Sequence, residues 1–214
     1  ALARYPACQE AVQISLPDLQ GPMDTAEQLW GSDVHYSFSD EPELLDRLLA
    51  RIVNAMLAAW RLLRPYATNR LDPLAHTQHG YQVSGCLMVR NDSSTLLSSQ
   101  MYARHIRPHD VRLLDAVGGG TIHFCGNGKH LVGAMLSIPG LRGLDFGQPD
   151  RMDVETAYCQ CREKHVSITN LRPDRNALVY GRARRDFPTG VVFVYQPASL
   201  DDARSVLAAY RGSS

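Results

Sequence analysis

Apolar residues along this chain recur in two rhythms. Six short runs, at residues 12–16, 82–89, 121–125, 141–146, 166–171 and 191–195, are rich in β-branched or aromatic residues and bounded by Gly, Pro, Asn or Asp. They read as strands. Between them the spacing changes to that of helices. In "DEPELLDRLLARIVNAMLAAWRLLR", Leu44, Leu45, Leu48, Leu49 and Ile52 form one apolar stripe, Asp40 is placed to cap it, and Pro42 suits its first turn. "SSQMYARHIRPHDVRLLDAV" predicts a second helix, capped by Ser98 and kinked at Pro108. "GKHLVGAMLSI", "DVETAYCQCREK" and "SLDDARSVLAAYR" predict shorter ones, the last with a capping box of Ser199 and Asp202. Residues 64–80 read as a surface loop.

Strand and helix alternate, which implies an α/β domain with a parallel sheet and helical crossovers. The strands read as buried runs, as parallel strands do. A closed (β/α)8 TIM barrel needs eight strands in about 250 residues. About six βα units in 214 residues predict an open sheet or an incomplete barrel, in one domain spanning residues 1–214.

Composition narrows the setting. Hydrophobic residues make up 44% and charged residues 21%, with Lys plus Arg and Asp plus Glu both 22. A formal net charge of zero gives no reason to expect nucleic acid or an anionic membrane as partner. No apolar run reaches the roughly 18 residues of a membrane span. Five cysteines at irregular spacing make a poor disulfide framework, so a reducing cytoplasm is expected. The start, "ALARYPACQE", carries no signal-peptide pattern, and its lack of methionine fits a trimmed chain or one begun within a longer gene.

Candidate chemistry centres on "GGGTIHFCGNGKH", residues 118–130. In an extended segment side chains two apart share a face, so His123 and Cys125 point the same way. At the C-terminal end of a barrel strand that face is the mouth, where such folds place their sites. Imidazole and thiolate are preferred zinc ligands, and a metal-bound thiol is held deprotonated. The competing reading of Cys125 is a small buried hydrophobe. Cys86 lies six residues before Asp92, about 20 Å along a strand, which places it at the opposite end. Cys159 and Cys161 are two apart on a helix and face different ways.

Carboxylates at strand ends remain as further donors or acids: Asp92, Asp145 and Asp18. Asp92 and Asp145 are candidates for proton transfer or metal binding, against a reading as turn or cap residues. Asp18, Gln20 and Gln148 are candidates for substrate contact. His76, His79, His105, His109, His130 and His165 read as surface or packing residues.

"LPDLQGPMDTAEQLWG", "VRNDSSTLLSSQMYARHIRPHDVRLLDAVGG", "TIHFCGNGKHLVGAMLSIPGLRGLDFGQP" and "ITNL", in this order, resemble the uroporphyrinogen decarboxylase superfamily. The resemblance runs across nearly the whole chain and covers the latter part of the family's barrel. One branch decarboxylates uroporphyrinogen without a cofactor, in porphyrin and haem biosynthesis. The other comprises zinc-dependent methyltransferases that pass methyl groups between a corrinoid and a thiol such as coenzyme M. The "HFCG" segment favours the second and implies His123 and Cys125 as zinc ligands. That branch adds a cysteine after the last strand, where this chain reads "VVFVYQPASLDD". The third ligand therefore falls to Asp92, to Asp145 or to neither, and a non-catalytic remnant is a further alternative. The corrinoid would come from a partner protein. Missing N-terminal strands would leave an exposed sheet edge, which invites a homo-oligomer or a preceding segment to cover it.

Overall fold

The computed structural model describes residues 14–67, 75–78 and 81–212. Eight strands are present among them: β1 (Leu19–Gln20), β2 (Ala75–Gln78), β3 (Tyr81–Ser84), β4 (Leu87–Arg90), β5 (Gly120–Phe124), β6 (Leu141–Phe146), β7 (Ser167–Leu171) and β8 (Val191–Phe193). Six of them form one sheet in the order β1-β4-β5-β6-β7-β8, with every pairing parallel. β2 and β3 pair with each other as an antiparallel hairpin. The longer helices are α1 (Pro22–Trp30), α2 (Pro42–Leu63), α3 (Arg107–Val117), α4 (Val154–Glu163) and α5 (Leu200–Gly212). The α/β class and the parallel sheet follow the sequence pattern.

The two faces of the sheet differ in chemistry. Registered neighbours in a parallel sheet share a face, so Val89, Ile122, Leu144 and Ile168 line one side. All are buried and belong to one core with Leu45, Leu49 and Val53 of α2, Leu113 and Leu114 of α3, and Ala157 and Cys161 of α4. Fully burying one such side chain contributes about 1.5–3 kcal/mol, so this face anchors the fold. The other face carries the registered row Arg90, His123, Asp145 and Thr169. The hairpin lies against this polar face: Ser84 O accepts from Thr121 Oγ1 at 3.0 Å and the Tyr81 hydroxyl reaches Asp145.

Several boundaries depart from the sequence pattern. The first strand is Leu19–Gln20 rather than residues 12–16; Val12 and Gln13 lie outside the described residues, and Ile14, Ser15 and Leu16 are not in a strand. The run at 82–89 is two strands. Gly85 sits at φ 91 between them, a left-handed conformation that ends the hairpin, and an added Cβ there would meet the Gly120 nitrogen at 2.6 Å. The predicted loop at 64–80 contains β2, and His76 on that strand is buried. Glu41 rather than Asp40 precedes α2, and no side chain caps it, because Asp40 ends the preceding turn Ser37–Asp40. Of the apolar stripe, Leu45, Leu49 and Ile52 are buried and Leu44 is exposed. Ser98 does cap its helix, accepting from Met101 N. Pro108 does not kink it from within; a π-helical turn, Tyr102–Ile106, absorbs the irregularity, and Pro108 falls in the first turn of α3. The helix expected from "GKHLVGAMLSI" is a single turn, Val132–Met135.

Candidate metal centre

His123 lies in β5 and Cys125 immediately follows it. Their side chains share the polar face as the alternation requires, with Cys125 Sγ 3.5 Å from His123 Nε2. Asp92 follows β4, the neighbouring parallel strand. Its Oδ1 accepts the Cys125 backbone N–H at 2.6 Å and lies 3.7 Å from His123 Nε2. One donor atom from each of the three residues lies within 4.8 Å of the others. Zinc–ligand bonds of about 2.0–2.3 Å at tetrahedral angles imply donor separations of about 3.3–3.6 Å, close to those found between His123 Nε2 and its two neighbours.

Asp145 stands behind this cluster. Its Oδ1 accepts from His123 Nδ1 at 2.7 Å and from Asn170 Nδ2 at 3.3 Å. Its Oδ2 accepts from the Tyr81 hydroxyl and from Thr169 Oγ1, both at 3.0 Å. In the neutral imidazole this contact places the ring proton on Nδ1, which makes Nε2, facing Cys125 and Asp92, the atom available to a metal. Burial alone would raise the Asp145 carboxyl, but the donors from His123, Tyr81 and Asn170 outweigh it and hold its pKa below the ordinary value. Asp145 is thus an ionised orienting group. The two strand-end acids separate here: Asp92 joins the donor set, and Asp145 fixes the imidazole from its far side. For the Cys125 thiol, burial and then the Asp92 charge push the pKa upward. A divalent cation among these donors would reverse that effect.

Gly147 supplies the space. It follows β6, and a Cβ at this position would lie 2.5 Å from Cys125 Sγ and 2.9 Å from His123 Cε1. Any larger residue would press on both candidate ligands. The site opens into a cavity of about 800 Å³ whose wall includes Tyr81, Arg90, Asn170, Arg172, Tyr195 and Gln196. Arg90 is ion-paired with Asp18. Asn170 holds a left-handed conformation at φ 66, and its Oδ1 accepts from Arg172 Nε at 3.1 Å.

The candidates therefore distribute unevenly. His123, Cys125, Asp92 and Asp145 come together. Asp18 joins through Arg90. Gln20 ends β1, and Gln148 leads into the turn Pro149–Arg151; neither is in the cavity wall. Cys86 is buried at the start of β4, where its N–H donates to Gly119 O, at the end of the strand away from Asp92. Cys161 is buried and Cys159 exposed, as their helical spacing requires. Sequence reasoning missed Tyr81, Arg90, Gly147, Thr169, Asn170 and Arg172. Arg90 had a signal, since it shares strand parity with Asp92; Tyr81 had none, because it fell between the loop read over 64–80 and the strand read over 82–89. No family model matches the chain, and no curated protein matches it.

Proposed function

We propose that this chain is a zinc-dependent methyltransferase of the uroporphyrinogen decarboxylase type, moving a methyl group between a corrinoid on a partner protein and a small thiol. The observation that carries the reading is the convergence of Asp92 Oδ1, His123 Nε2 and Cys125 Sγ at the carboxyl ends of neighbouring parallel strands, beside a cavity large enough for a small substrate. In this reading the six-stranded sheet is the later part of a (β/α)8 barrel, and its polar face looks toward the barrel axis. The segment after β8 that holds a cysteine in the resembling methyltransferases instead contributes Tyr195 and Gln196 to the cavity wall, and Asp92 takes the third ligand position.

Asp92, His123 and Cys125 would hold the metal, and the cleared space over Gly147 fits it. Bound zinc supplies the Lewis acidity that keeps a coordinated thiol as thiolate at neutral pH. Asp145 keeps the His123 ring in one tautomer and one orientation. The Cys125 N–H tethers Asp92 on the opposite side. With three protein donors, a bound zinc would have room for one further ligand such as a substrate thiol, and the cavity beside the donors would admit it.

The test is a paired assay of zinc-loaded protein. Methyl transfer from a methylated corrinoid protein to a small thiol is expected, with no conversion of uroporphyrinogen. Decarboxylation of uroporphyrinogen by this chain alone, unaffected by a chelator, would establish the other branch and overturn the reading.

A further inference from the structure

Asp92 is more exposed than His123, its side chain 37% accessible against 9%, and it stands on a turn after β4 rather than within a strand. Its backbone is nevertheless held firmly, by a residue from another element. Asp24, in the first turn of α1, is 4% exposed. Its Oδ2 accepts the Asp92 N–H at 3.0 Å and its Oδ1 accepts the Ser93 N–H at 2.8 Å. Asp92 is the N-cap of the one-turn helix Ser93–Leu96, yet its own side chain makes no capping bond.

An N-cap side chain ordinarily accepts from the N–H of the second or third helical residue, and the Asp92 side chain makes no such bond. The buried Asp24 carboxylate instead holds the N–H groups of Asp92 and Ser93, just ahead of those positions. The Asp92 carboxylate crosses to β5, where Oδ1 meets the Cys125 N–H and faces His123 Nε2. A buried carboxylate is costly to desolvate, and here both of its oxygens are used on the backbone that carries Asp92. The flanking residues are fixed separately. Asn91 Nδ2 donates to Asp110 at 2.7 Å and Ser94 Oγ donates to Asn91 Oδ1 at 3.3 Å, and neither bond touches Asp92.

We infer that Asp24 is a positioning residue for the metal centre: by holding the Asp92 and Ser93 N–H groups from another element, it fixes the backbone from which the Asp92 carboxylate is aimed as a metal donor. This rests on the metal site at Asp92, His123 and Cys125.

The experiment titrates wild-type protein, Asp24→Asn, Asp24→Ser and Asp110→Asn with Co²⁺ alone, read by visible absorption, with circular dichroism reporting the fold. Wild-type protein is expected to show intense four-coordinate ligand-field bands and a sulfur-to-cobalt charge-transfer band. Both Asp24 variants keep the charge-transfer band but bind Co²⁺ about ten- to a hundredfold more weakly, as loss of an outer partner typically does, with weaker ligand-field bands. Asn preserves volume and Ser keeps one acceptor oxygen, so either folded variant decides the question. Asp110→Asn alters the neighbouring buried carboxylate and is expected to match wild type. Wild-type affinity and spectrum in the Asp24 variants would overturn the role of Asp24 alone, as would equal weakening in Asp110→Asn. Absence of Co²⁺ binding by wild-type protein would instead overturn the metal site itself.

Discussion

Asp145 and Asp110 are both sealed from solvent, at 1% and 0% exposure, yet they sit in opposite electrostatic settings. Asp145 lies on the polar face of the sheet and accepts four hydrogen bonds, one from an imidazole. Asp110 lies on α3 among the helices. Its Oδ2 accepts from Tyr102 and Asn91, while Oδ1 has no partner among the described residues. Asp145 is held below the usual carboxylate range, whereas burial pushes Asp110 up to about 7. Burial alone therefore does not distinguish the candidate metal centre from the helix side. The number of donors around the acid does, together with a metal-ligand type among them.

The largest expected effect breaks the polar side outright. Cys125→Ser or His123→Ala should abolish zinc uptake, measured by metal analysis after dialysis, while Asp110→Asn leaves it unchanged. Asp145→Asn should weaken zinc binding by about ten- to a hundredfold in a competition titration with a chromophoric chelator, since it removes the carboxylate that orients His123. On the helix side, Tyr102→Phe removes one of the two donors to Asp110 and should cost about 1–3 kcal/mol in urea unfolding, without changing metal affinity.

The smallest effect is a pH slope. Folded Asp110 keeps its proton to about pH 7, whereas the ordinary aspartate value is 3.8. Between those values the native state binds the additional proton, so stability is fully present below about pH 4 and falls as pH rises toward 7. Asp110→Asn should flatten that decline by up to about 1.4 kcal/mol per pH unit, the limit for one proton, in unfolding curves taken from pH 4 to 7. Asp145 has the opposite sign: its stabilisation is present above the unfolded pKa and is lost as pH falls.

His123 and Cys125 were legible in the sequence because strand alternation is a local rule: two residues apart means one face, whatever the rest of the chain does. The α/β class was legible for the same reason. The division of labour between Asp92 and Asp145 was not, since it depends on which strands become neighbours. Asp145 registers beside His123 across the β5–β6 pair and so reaches Nδ1. Asp92 leaves the adjacent strand β4 and reaches the Nε2 side. Tyr81 was hidden because β2, the partner strand of its hairpin, reads as loop, and because Gly85, not a change in hydropathy, divides the 82–89 run. The buried-run reading holds for β5 and most of β6, but only one face is apolar: Ile122, Phe124, Leu144 and Phe146 pack against the core, while Thr121, His123 and Asp145 on the other face are buried and polar.

The claim that Asp92, His123 and Cys125 hold one metal ion is tested most directly by X-ray absorption at the zinc edge of the loaded wild-type protein. The account predicts a four-coordinate shell with a single sulfur at about 2.3 Å and nitrogen or oxygen donors at about 2.0–2.2 Å. A shell without sulfur, or protein that retains no zinc after loading, would contradict it.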